Sequence, residues 1–173
     1  MAQPVQEPIR DHRYVPSDGD FRWRGVGVTE YKNTPATAAD FSRITRQTLF
    51  GHAGEAIGFE VRYFEIAPGG WSSLECHAHA HAVIGLRGKG RVLLGDEVRE
   101  LNFLDMAYIG PDCVHRLTND ADEPFGFLCV VDAVRDRPKR LSAADVPHLL
   151  ENPETADIIH RKPDAEIFSQ EGD

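Results

Sequence analysis

A chain of 173 residues is long enough to bury one full core, and with 41% hydrophobic and 27% charged residues it has an ordinary globular composition. Its 28 acidic and 19 basic residues leave a formal charge of −9, which argues against a general nucleic-acid binder. There is no run of about 18 apolar residues, the amino terminus lacks the basic and apolar regions of a secretory signal, and the three cysteines have no Cys-x-x-Cys spacing. The expectation is a cytoplasmic protein with no membrane span, disulfide framework or zinc ribbon.

Residues 1–19 carry Pro4, Pro8, Pro16 and Gly19 among polar groups and read as a loose arm, suited to wrapping a neighbouring subunit. The run Phe21-x-Trp23-x-Gly25-Val26-Gly27-Val28 predicts a first strand within 21–31, followed by a polar turn at Asn33, Thr34 and Pro35. Residues 45–50 predict a second strand, and His52 in the glycine-flanked loop after it reads as solvated. Residues 57–66 alternate Phe59, Val61 and Tyr63 against Glu60 and Arg62, the pattern of a half-buried strand. Pro68-Gly69-Gly70 then turns the chain into the next one.

That next stretch carries Glu75, His77, His79 and His81 on every second position, with the small residues Cys76, Ala78 and Ala80 between them. If it is extended, all four side chains leave one face of one strand, which is a metal-site pattern. Neutral imidazole and carboxylate suit several divalent metals. Positions i and i+4 on a strand stand about 13 Å apart, so the ion must also take a ligand from elsewhere. His115, after the turn Gly110-Pro111, is the candidate. Cys113 falls on the same face as His115 if 113–115 is extended, whereas Cys129, between Leu128 and Val130, reads as a small core residue.

Residues 91–94, the turn Gly95-Asp96-Glu97 and residues 98–101 form a hairpin pattern; 106–109 and 114–117 flank the Gly-Pro turn, and the apolar run 125–131 suits a sheet buried on both faces. Ser142 and Asn152-Pro153 predict helix starts for 143–150 and 154–159, with His148 and His160 at the surface. The tail 164–173 is acidic. Many short strands separated by Gly, Pro and Asp turns predict an antiparallel sandwich or barrel over 20–135, an arm before it and a helical extension over 136–173.

These residues resemble the cupin superfamily over about 57–132. Its first motif runs Gly, five residues, His-x-His, three or four residues, Glu, six residues, Gly. Anchoring on Gly69 and Gly88 puts Glu75 and His77 in the histidine places and His81 in the glutamate place. Its second motif ends in His, three residues, Asn, as His115 and Asn119 do. The pair His77/His79 offers the other anchoring, so Glu75, His77, His81 and His115 stand beside His77, His79 and His115, with His77 and His115 in both. The resemblance implies an all-β, single-domain jelly-roll barrel.

The arrangement is also similar to small bacterial cupins that demethylthiolate 1-methylthioxylulose 5-phosphate to deoxyxylulose 5-phosphate and methanethiol. This implies manganese at the site and a thiol reductant such as glutathione. Cys113 is the candidate catalytic thiol, and Arg62, Arg87, Arg91 and Arg116 are candidate phosphate partners. Two alternatives stay open. One is a non-haem iron (Fe2+) dioxygenase cleaving a hydroxylated aryl ketone against Tyr63, Trp71, Tyr108 and Phe127; the other is a non-enzymatic small-molecule-binding cupin. Unprotected strand edges predict a homodimer or higher assembly.

Overall fold

The computed structural model describes residues 12–31 and 41–160. The first eleven residues of the predicted arm, the turn at Asn33–Pro35 and the acidic tail lie outside them. Thirteen short strands carry the fold: β1 Ser17–Gly19, β2 Arg22–Trp23, β3 Thr29–Glu30, β4 Ser42–Phe50, β5 Phe59–Trp71, β6 Glu75–Cys76, β7 His81–Arg87, β8 Gly90–Leu94, β9 Glu97–Leu101, β10 Met106–Ile109, β11 His115–Thr118, β12 Phe125–Asp132 and β13 Lys139–Arg140. All pairings are antiparallel. One layer runs β10-β7-β12-β5-β4-β3 and the other β9-β8-β11-β6-β13. They face each other as a jelly-roll barrel, as expected for an all-β chain with turns at this spacing.

The predicted turn at Pro68-Gly69-Gly70 is instead a corner within β5, which continues to Trp71 and so belongs to both layers. Its first part pairs with β12 from Phe59 to Ile66, and its end pairs with β11 through Trp71 and Thr118. Glycine is required at the corner. Gly69 has φ +73°, and a Cβ on Gly70 would stand 2.7 Å from the Ser42 carbonyl oxygen.

Register assigns the faces. Arg62 lies opposite Cys129, which lies opposite Val83; Phe64 lies opposite Phe127, and Val131 opposite His81. Because alternate residues share a face, Arg62, Phe64 and Ile66 of β5 point into the barrel with Phe125, Phe127, Cys129 and Val131 of β12. This reverses the reading of β5 from alternation alone. Tyr63 is fully buried on the outer face, stacked on Phe21 with ring centroids 5.7 Å apart and edge-on to Trp23 at 5.1 Å. Each such aromatic pair contributes about 0.5–1.5 kcal/mol beyond its buried area. The separate hairpin of β1 and β2 thus covers the outer face of β5. Arg13 fastens the chain before it, donating from Nη1 to the Leu49 carbonyl at 2.9 Å and pairing with Glu55.

A second apolar cluster, Leu74, Leu93, Val146, Leu149, Ile158 and Ile159, seats the C-terminal segment on the barrel. The helix expected at 143–150 is two 3-10 turns, Ala143–Asp145 and Pro147–Leu150, because Pro147 has no N–H to continue a helical ladder. The next helix, α1 (Pro153–Ile159), starts where predicted, with the Asn152 side chain accepting from the Glu154 N–H. Among the described residues no helix is long and apolar enough to cross a membrane.

Candidate metal centre

The stretch from Glu75 to His81 is not one strand. β6 ends at Cys76, the backbone bends at Ala78 and His79, and β7 begins at His81. The bend has a cause the local pattern did not show. The Asp136 carboxylate accepts the N–H of Ala78 at 2.9 Å and of His79 at 3.0 Å, and lies 2.5 Å from His79 Nδ1. Two amides that a straight strand would offer to a neighbour are bound to an anion instead, and the Asp112 N–H donates to the His77 carbonyl at 2.7 Å. Small Ala78 and Ala80 leave room for the reversal.

The bend brings together what a straight strand would hold apart. Ring centroids are 5.0 Å apart for His77 and His81, 4.8 Å for His77 and His115, and 5.0 Å for His81 and His115. The ligand atoms of these three histidines lie within 4.8 Å of one another. His79 is outside the group. It stacks on His77, with centroids 3.6 Å apart and planes 3° from parallel, and its Nδ1 is taken by Asp136. Anchoring on the glycines therefore matches the geometry, and the His77/His79 dyad does not. Glu75, buried, lines the same cavity beyond the three imidazoles.

The tautomers follow from the partners. His77 Nδ1 lies 2.7 Å from the His79 carbonyl and His115 Nδ1 lies 2.9 Å from the Cys113 carbonyl. A carbonyl only accepts, so both Nδ1 atoms carry the proton and both Nε2 atoms keep a lone pair. His81 Nδ1 faces the Cys129 sulfur at 3.3 Å, and its Nε2 is buried with no hydrogen-bond partner. Burial, then repulsion from His115, His77 and His79, pushes His81 down to about 2; burial is also the main cause lowering His77. Neutral imidazoles with fixed Nδ1–H groups are the ligand form of histidine. A buried, orphaned ring nitrogen fits a divalent cation, which gives it a partner. The three histidines are thus positioned to hold a metal ion.

The surrounding cavity of about 140 Å³ is lined by Ile44, Phe64, Val83, Phe127 and Val131, with Arg46, Arg62 and Arg135 on its polar side. The thiol in its wall is Cys129, not Cys113. β11 starts only at His115, and Cys113 and Val114 before it follow a turn at residues 111–112 and belong to no strand, so strand alternation does not extend back to Cys113. The Cys113 sulfur lies 3.6 Å from the Val114 carbonyl, and burial raises its pKa. Cys129 was hidden by its apolar neighbours, although its even spacing from Phe127 and Val131 placed it on whichever face they share. Asp136 gave no sequence signal.

The remaining candidates are engaged elsewhere. Arg87 pairs with Glu65 and Asp20, Arg91 with Asp120 and Asp157, and buried Arg116 donates to the carbonyls of Ile158 and Ile159 at the end of α1. Of the aromatic candidates only Phe127 reaches the cavity; Tyr63 is on the outer face and Tyr108 is exposed. His52, His148 and His160 are exposed, as expected.

A model of the cupin domain matches residues 62–131. The chain is 40% identical over 139 residues to the 1-methylthio-D-xylulose 5-phosphate methylsulfurylase of Rhodospirillum rubrum, covering 80% of this chain and 86% of that one. Its fold is similar to a cupin 2 conserved barrel domain protein from Rhodopseudomonas palustris, with TM-score 0.76 and 38% identity over 85% of this chain and 99% of that one. It is also similar to a cupin-2 domain from Rhodospirillum rubrum, with TM-score 0.73 and 37% identity over 88% and 98% of the two chains. Motif spacing, barrel and relatives agree, and the chain belongs to the cupin family.

Proposed function

We propose that this cupin holds a divalent metal on His77, His81 and His115 and removes the methylthio group of 1-methylthioxylulose 5-phosphate, giving 1-deoxyxylulose 5-phosphate and methanethiol. The observation that carries this reading is a thiol built into the wall of the imidazole cavity, Cys129 beside His81, in a chain similar over most of its length to a methylsulfurylase. When bound, the metal supplies Lewis acidity that stabilises charge developing on the substrate ketone oxygen as the adjacent carbon–sulfur bond breaks. Manganese is the favoured ion.

The chain's own groups do the rest. With its Nε2 given to the metal, His81 would carry its proton on Nδ1, 3.3 Å from the Cys129 sulfur, and donate to it, leaving the S–H free for the cavity. Burial pushes this thiol up to about 12, so it arrives protonated. The C1–S bond breaks, the thiol proton ends on C1, and the departing methylthio sulfur joins Cys129 as a mixed disulfide. Two molecules of an external thiol such as glutathione then return Cys129 to the thiol, releasing methanethiol and one disulfide of the reductant. Apolar Phe64, Phe127 and Val131 keep water from the reacting carbon.

The test is incubation of manganese-loaded protein with the ketose phosphate and glutathione under anaerobic conditions. Methanethiol and glutathione disulfide should appear in equal amounts, without oxygen. No methanethiol, or turnover only with iron and oxygen uptake, would sink the reading in favour of a dioxygenase.

A further inference from the structure

Two of the three arginines on the polar side of the cavity share one carboxylate. Arg62 Nε and Nη2 both lie 2.6 Å from Glu60 Oε2, and Arg135 Nη2 lies 3.2 Å from Glu60 Oε1. Both oxygens of Glu60 are thus engaged. Arg46, on the neighbouring strand, has no side-chain partner among the described residues, and its Nε is buried and unsatisfied. Register sets it beside Arg62, since Arg46 lies opposite Phe64 and Thr48 opposite Arg62, so the two guanidiniums are diagonal neighbours on the inner face. Its charge is held below its ordinary pKa by burial first and by Arg62 next. Asp136 is committed to the bend, and the backbone register sets Glu75 opposite His115, on the imidazole side of the cavity.

Glu60 is taken up by Arg62 and Arg135, so Arg46 lines the cavity with no carboxylate in contact among the described residues. A part-buried guanidinium without a paired anion is unfavourable in the empty protein and is relieved by an anionic ligand. Arg62 lies directly across from Cys129, and Cys129 touches His81. The cavity therefore has an imidazole pole and a guanidinium pole with the thiol between them.

We propose that Arg46, completed by Arg62 and Arg135, binds the phosphomonoester dianion of the substrate and so sets specificity for a phosphorylated over a free ketose. This rests on the reading of the reaction for the rest of the substrate, but the anion site itself is defined by the unpartnered guanidinium. Arginine suits the task, because its planar fork meets phosphate oxygens in pairs.

The probe is inorganic phosphate, titrated calorimetrically into the metal-loaded protein at constant ionic strength. Wild type should bind it, Arg46→Met should weaken binding at least about tenfold with metal content unchanged, and Arg46→Lys should fall between. Without phosphate, Arg46→Met should melt no lower than wild type, a result a merely structural arginine would not give. With substrate, KM should rise at least about tenfold while kcat changes little. Absence of phosphate binding by wild type, equal binding by Arg46→Met, or a lowered phosphate-free melting temperature in that variant would each overturn the site. Phosphate binding that depends on Arg46 without any methanethiol release would leave the anion site standing and remove the reaction assigned above.

Discussion

The bend at Ala78 and His79 is what makes the metal site, and Asp136 is the group that makes the bend. Replacing Asp136 by Ala removes the acceptor of two backbone amides and the partner of His79 Nδ1 in one step. On a straight strand His77 and His81 would stand about 13 Å apart, too far to share an ion, whereas their ring centroids are 5.0 Å apart here. Groups that orient ligands without touching the metal typically contribute 10- to 100-fold in affinity. Asp136→Ala should fall in that range, with Asp136→Asn nearer the lower end because its amide oxygen still accepts one N–H. The assay is competition for manganese against a chelator of known affinity, with circular dichroism confirming an intact barrel. Asp136 is exposed and the barrel core does not rest on it. If both variants keep manganese affinity within about twofold of wild type, the bend is held by something else and this account of the site is wrong.

Two further outcomes follow from the thiols and from the N-terminal segment. Cys129→Ser should lower turnover at least about a hundredfold while leaving metal content intact, and Cys113→Ser should stay within about twofold; the reverse order, read from methanethiol release, would return the catalytic role to Cys113. Burial would raise the Glu55 carboxyl, but hydrogen bonds from Arg13 and the Ala53 amide outweigh it and hold the group at about 2. A folded-state value below the unfolded one stabilises the protein above the unfolded value near 4.5, and that contribution is lost as pH falls toward about 2. The melting-temperature difference between wild type and Glu55→Gln should therefore be full at pH 6 and shrink through that window; a pH-independent difference would contradict the assignment.

Much of the barrel was legible, because β-strand alternation and turn residues are local signals. The hairpin of β8 and β9, the strand β12 and the start of α1 on Asn152-Pro153 fall where the pattern put them. What local pattern could not give was set by long-range contacts. Which face of β5 is inside depended on Phe21 and Trp23 arriving from the N-terminal segment to bury Tyr63 on the outside. The four alternating ligand-type residues predicted a flat strand, and the carboxylate that breaks it lies 57 residues downstream of His79. His77 and His115 were secure in both anchorings, whereas the choice between His79 and His81 needed Asp136 to be in view. Cys113 looked better than Cys129 only because residues 113–115 were read as extended, whereas β11 starts at His115.

The central claim is that His77, His81 and His115 together hold one divalent ion, and elemental analysis of purified variants tests it most directly. Wild type should carry about one ion per chain, His79→Gln should keep most of it, and His81→Gln should lose it, as should His77→Gln and His115→Gln. Full occupancy in His81→Gln, or loss in His79→Gln with retention in His81→Gln, would show that the ion sits on the other face of the bend and would contradict the account.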